Sequence, residues 1–142
     1  MDMRKLGRSG LTVSPICLGT MMFGEQTDEK EARRIIDHAR AAGVNFIDTA
    51  DQYGRGKSEE IVGRAIAKDR DAWVLATKAG NPVNDTHANA QGLGRKWLLK
   101  AIDDSLARLK LDVSACRQPT DTGVSTAAAA RTFAAPMRPY PK

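Results

Sequence analysis

The chain has 142 residues, 42% hydrophobic and 27% charged, the proportions of an ordinary folded protein rather than a disordered one. It holds no run of 18 apolar residues and its first ten are polar and basic, so no membrane span and no secretory leader are read, and a cytoplasmic location is expected. The net charge of +5 would suit a nucleic-acid partner, but over half of it comes from Arg117, Arg131, Arg138 and Lys142, which are set against Asp121 alone in residues 113–142.

Over residues 1–112 the two signs interleave, as in Glu29-Lys30-Glu31 and Arg33-Arg34. That is the pattern of a solvated surface, and no nucleic-acid partner is expected. Cys17 and Cys116 form no CxxC spacing, so no metal site is read and both are expected as free thiols.

In chain order, Met3–Leu6 and Leu11–Val13 flank Gly7-Arg8-Ser9-Gly10 and read as a short β-hairpin. Ile16–Leu18 is a first apolar strand. A helix is expected from Asp28, with Glu31 three residues on as in a capping box, burying Ala32, Ile35, Ile36 and Ala39 and stopping at Gly43. Val44–Asp48 is a second strand. Its helix starts at Ser58 as N-cap, with Glu59 and Glu60 at the positive end of the dipole and Ile61, Val62, Ala65 and Ile66 inward. Trp73–Lys78 is a third strand, followed by a helix over Arg95–Leu109 with Leu98, Ile102, Leu106 and Leu109 on one stripe. The strand starts fall about 29 residues apart, the length of a βα unit, which predicts parallel strands joined by helical crossovers.

After Asp112 the composition changes. Residues 113–142 contain no Leu, Ile or Glu, yet hold seven alanines and four of the six prolines. Such a segment has too little apolar surface to offset ordering entropy and is expected to be an unstructured, low-complexity tail.

Chemistry concentrates at two strand ends. Asp48 closes the second strand, Tyr53 follows five residues later in Asp48-Thr49-Ala50-Asp51-Gln52-Tyr53-Gly54, and Lys78 closes the third. In a parallel barrel both ends open on the C-terminal face, where active sites of that architecture are built. Adding hydride to a carbonyl puts negative charge on its oxygen, so a proton donor must be at hand. Tyr53 is the candidate donor. A phenol yields its proton reluctantly at neutral pH, and the Lys78 ammonium would favour the phenolate, while Asp48 would keep that lysine charged and in place. Each residue also has a plain reading: Asp48 as a loop cap, Tyr53 as a half-buried aromatic, Lys78 as a solvated strand end. On the residues alone both readings stand. His38, on the first helix, and His87, in a loop, are expected at the surface. Gly56-Lys57-Ser58 imitates the end of a phosphate-binding loop, but the partner glycine would fall at Asp51, and Lys57 is expected to face solvent.

Over residues 1–112 the chain resembles the aldo-keto reductases. The matching segments are Arg4-Lys5-Leu6-Gly7-Arg8-Ser9-Gly10-Leu11-Thr12-Val13-Ser14, Leu18-Gly19-Thr20-Met21, the Asp48–Gly54 stretch, Ser58-Glu59-Glu60-Ile61-Val62-Gly63-Arg64-Ala65-Ile66 and Lys78, in that order. The resemblance implies an α/β fold, part of a (β/α)8 TIM barrel of about three βα units after the hairpin, which would plug one end. It implies an oxidoreductase that reduces small-molecule aldehydes or ketones with NADPH. Asp48, Tyr53 and Lys78 become three of four catalytic residues, and Gly19, Thr20, Met21 and Asp48 would lie beside the nicotinamide. The fourth is a histidine ending the next strand, where this chain reads Val113-Ser114-Ala115-Cys116.

The expected organisation is therefore residues 1–112 as the N-terminal part of the barrel and 113–142 as an aberrant tail from a frame shift or a truncated gene. The alternatives are an inactive fragment or accessory subunit with this fold, and a nucleotide-binding module built on Gly56-Lys57-Ser58. The sequence sets no substrate and no oligomeric state. Reading the coding DNA past codon 111 in the other two frames is expected to restore a strand ending in histidine; if neither frame does, the frame-shift origin is wrong.

Overall fold

A computed structural model describes residues 1–84 and 88–111 and the backbone of Cys116–Pro119. The hairpin forms from β1 (Arg4–Lys5) and β2 (Thr12–Val13), antiparallel with Arg4 opposite Val13. Asn45 fastens it to the rest of the chain: its side-chain oxygen accepts from the Ser14 amide at 2.7 Å and its amide donates to the Thr12 carbonyl at 3.1 Å. Asn45 immediately precedes a strand, so the hairpin is held at the N-terminal end of the sheet.

That sheet consists of β3 (Cys17–Gly19), β4 (Phe46–Asp48), β5 (Val74–Ala79) and β6 (Cys116–Pro119), all parallel and in chain order. Parallel neighbours cannot be joined by a tight turn, and the crossovers are α1 (Glu29–Ala41), α2 (Lys57–Ile66) and α3 (Arg95–Leu109). Leu18, Ile47 and Leu75 are register partners on one face of the sheet. Ile47 and Leu75 are closed to solvent in a single cluster with Ala32 and Ile36 of α1, Ile61, Val62 and Ile66 of α2, and Leu109 of α3. All three helices thus cover the same face, the arrangement of a barrel arc rather than of an open sheet wound on both sides.

The three expected strands are present within one or two residues of their expected bounds. Val44 and Trp73 belong to the core, 5% and 3% exposed, but precede their strands. β6 is a correction. It lies in the segment read as unstructured, and its backbone pairs with β5 in the register Ala76 to Cys116 through Ala79 to Pro119. The expectation weighed side chains, whereas a strand added at an open edge is joined through main-chain donors and acceptors that composition does not report.

Each helix has a local cause. Asp28 caps α1 as expected, its carboxylate accepting from the Glu31 amide at 2.8 Å, a bond worth about 1 kcal/mol. Ala32 and Ile36 are buried, Ile35 and Ala39 pack against the cluster, and the helix ends just before Gly43. For α2 the N-cap is Gly56 (φ 92), and Ser58 lies inside the first turn, contrary to expectation. In α3 the buried stripe is Trp97, Ala101, Ser105 and Leu109; Leu98, Ile102 and Leu106 are only half-buried. The expected stripe counted the largest aliphatics, but this face must let main chains approach closely, which Ala101 and Ser105 permit.

The closest approach is at Gly63 of α2. A methyl group there would sit 2.4 Å from the Leu109 carbonyl oxygen and 2.8 Å from its Cα, and backbone at both sides cannot swing aside. Gly63→Ala is therefore expected to destabilise the chain by about 1–3 kcal/mol, seen as a lower urea midpoint with an unchanged slope. An unchanged midpoint would mean that α3 does not seat on α2 in this way.

Candidate active site

Alternation along the strands decides what faces away from the helices. Gly19, Asp48 and Ala76 are register partners in one row, so Asp48 stands between two small residues on the face opposite Ile47. Lys78 lies two residues beyond Ala76 on that same face. Its ammonium donates to Asp48 Oδ2 and, at 2.9 Å, to the Thr49 carbonyl. The pair is partly shielded, with side chains 16% (Lys78) and 26% (Asp48) exposed.

Tyr53 joins them through the loop after β4, which is bound to the end of β5: the Thr49 amide donates to the Ala76 carbonyl at 2.9 Å and the Asp51 amide to the Lys78 carbonyl at 3.1 Å. The Lys78 ammonium lies 4.9 Å from the centre of the Tyr53 ring, over its face. The chain then reverses through Gly54 (φ 56), Arg55 (φ 54) and Gly56 (φ 92). Arg55 is held in the left-handed region at a cost of roughly 1–2 kcal/mol. The expected trio is thus brought together.

Beneath the trio lies a layer that the sequence reading missed. The hydroxyl of Thr20 donates to the Asp48 carbonyl at 3.0 Å, that of Ser58 to the Thr20 carbonyl at 2.9 Å. Ser58 has only one hydroxyl proton, so Thr49, 3.0 Å away, is the donor to Ser58 Oγ. Thr20, Thr49 and Ser58 are all closed to solvent. Glu59, expected at the positive end of the α2 dipole, is 0% exposed; it accepts from Thr77 Oγ1 at 2.5 Å and from Arg108 Nε at 2.6 Å. Its signal in the sequence was only its type, because its partners come from β5 and α3.

Among the residues expected beside a nicotinamide, Gly19 and Met21 are exposed and Asp48 is partly so, whereas the Thr20 hydroxyl is turned inward onto Asp48 and Ser58. The phosphate-loop reading of Gly56-Lys57-Ser58 is not supported: Lys57 faces solvent as expected, but the Ser58 hydroxyl is buried and engaged. His38 is exposed on α1, as expected, and His87 lies outside the described residues. Among the described residues no cluster of metal-ligating side chains occurs, and no helix is long and apolar enough to cross a membrane.

Cys17 is a free thiol one row below Asp48, paired in register with Phe46. The residue is exposed, yet partial burial pushes the thiol up to about 12; the Asp48 carboxylate adds to this and the Lys78 ammonium opposes it.

The sequence profile of the aldo/keto reductase family matches residues 15–114. The chain is 43% identical to the uncharacterized oxidoreductase YrpG of Bacillus subtilis, covering 79% of this chain and 37% of that protein. It is 39% identical to a probable voltage-gated potassium channel subunit beta of Oryza sativa, covering 86% and 39%. Among solved structures, an aldo-keto reductase from Bacillus halodurans in its holo form superposes with a TM-score of 0.76 at 38% identity, over 84% of this chain and 40% of that one. The chain belongs to the aldo/keto reductase family, whose fold is the (β/α)8 barrel. It spans somewhat over a third of the length of the curated relatives it matches.

With its thiol raised to about 12, Cys17 holds little thiolate near neutral pH. Alkylation of Cys17 by iodoacetamide at pH 8, followed site by site by mass spectrometry, is expected to run at least about a hundredfold slower than in the urea-unfolded chain. Equal rates would show that the sulfur is not held in this packed environment.

Proposed function

We propose that the protein is an NADPH-dependent oxidoreductase that reduces aldehydes or ketones to alcohols, with Tyr53 as proton donor. The observation that carries this is the convergence of three side chains from two strand ends and a loop: the Lys78 ammonium bridges Asp48 and the face of Tyr53.

The open face suits a flat ring. Asp48 is flanked by Gly19 and Ala76, and nothing lies within 4 Å of where a Gly19 side chain would begin, so a planar group could rest on that row. Gly19, Met21 and Asp48 would hold the nicotinamide end. When bound, the reduced cofactor supplies the hydride. The remaining work belongs to this chain. Asp48 keeps Lys78 charged and directed, Lys78 stabilises negative charge as the Tyr53 phenol gives up its proton, and Tyr53 delivers that proton to the carbonyl oxygen.

A second reading, an accessory subunit that keeps the fold without turnover, is favoured by the likeness to a protein named as a probable potassium channel subunit beta. The two readings are separated by titrating the purified chain with NADPH, followed by fluorescence, and assaying 4-nitrobenzaldehyde reduction. Turnover is expected to fall by about 10²–10⁴ in Tyr53→Phe, with NADPH binding unchanged. NADPH binding without turnover in the unaltered chain favours the accessory reading. If Tyr53→Phe turns over at the parent rate, Tyr53 is not the donor.

A further inference from the structure

Three parts of the molecule lock together at a single buried carboxylate. Glu59, in the first turn of α2, receives the Thr77 hydroxyl from β5 on Oε1 at 2.5 Å and the Arg108 guanidinium from α3 on Oε2 at 2.6 Å. Arg108 also donates to Ser105 at 3.2 Å, so both the charge and the fork of the guanidinium are engaged. Glu59 and Thr77 are both 0% exposed.

Stability alone is a poor account of such a group. A buried ion pair forfeits the hydration of two charges and commonly does no better than apolar residues of the same size. What it does supply is geometry, because a carboxylate accepts only from donors in particular directions. The place where that geometry is imposed is informative. Thr77 is the residue immediately before Lys78, and alternation sends the two side chains to opposite faces of β5. Holding the Thr77 side chain from the helix side fixes the twist of β5 at the point where Lys78 leaves it. Next to Glu59, Ser58 holds Thr20 and Thr49 and through Thr20 the carbonyl of Asp48, so one turn of helix grips the backs of both strands whose fronts carry the ion pair.

We infer that Glu59 is a positioning residue, acting through Thr77 to aim Lys78 at Asp48 and Tyr53. The inference rests on the reductase reading of that site. Glu59 touches no reacting atom; its effect runs through the strand.

Trace acetylation of the full chain, with each lysine quantified by mass spectrometry, reads the aim of Lys78 without requiring turnover. Thr77→Val keeps the shape and removes the donor, Thr77→Ser keeps the donor, and Glu59→Gln keeps the shape without the charge. The expected result is that Lys78 labels at least about threefold faster in Thr77→Val and Glu59→Gln while exposed Lys57 is unchanged, and that Thr77→Ser stays near the parent rate. In parallel, kcat for 4-nitrobenzaldehyde is expected to drop about tenfold in Thr77→Val with the NADPH dissociation constant unchanged. If the Lys78-to-Lys57 labelling ratio does not move, the inference is overturned, even where melting temperature falls, since Glu59 would then be structural only. Faster Lys78 labelling with an undiminished kcat overturns it as well. A parent chain without turnover whose Lys78 still responds to these substitutions keeps the lock and sinks the reductase reading instead.

Discussion

The first turn of α2 is packed beneath the ends of β4 and β5, and the geometry of the site depends on that contact. Where a parallel sheet ends, its loops leave polar groups that no ladder satisfies, and in a buried setting each must find a partner. Ser58 and Glu59 supply those partners side by side, Ser58 toward Thr20 and Thr49 and Glu59 toward Thr77. A carboxylate in the first turn of a helix is also favoured by the unpaired amides there, which offsets part of the cost of burying it. Asp48 and Lys78 can thus face one another on the open side because the strands bearing them are held from the closed side.

The same contact shows what a sequence can and cannot disclose. α1 was legible because its cap, its 3.6-residue apolar period and its stop are all local, and Asp28, Ala32 and Ile36 play their expected parts. The positions of the trio were legible because strand ends can be located from apolar runs, although on the residues alone Asp48, Tyr53 and Lys78 kept their plain readings as well. Ser58 and Glu59 were read by the rules for helix starts, which concern the helix's own amides and say nothing of partners from other elements. Arg108 is 49 residues from Glu59 and Thr77 is 18 away, and nothing local announces either pairing.

Two further differences have the same origin. In α3 the apolar period was present, but the face that touches the sheet and α2 was chosen by closeness of approach: Ala101 and Ser105 are buried where Ile102 and Leu106 are half-buried. In β6 the main chain pairs with β5 although composition argued against structure. Local pattern reports what a segment could bury; it does not report which neighbour will meet it.

Cys17 sharpens the electrostatics of the open face. It sits one row below Asp48, and a thiolate there would bring a second negative charge close to the carboxylate and compete with it for the Lys78 ammonium. Burial first, and the Asp48 charge second, raise the thiol further above its ordinary range, and Lys78 opposes them without reversing the shift. The row beneath the ion pair is therefore uncharged, formed by Cys17, Phe46 and Val74, and the row containing Asp48 offers only Gly19 and Ala76. On this face Lys78 meets Asp48, the Thr49 carbonyl and the Tyr53 ring. A lysine held by one carboxylate and set over the ring is placed for its charge to act on the phenol.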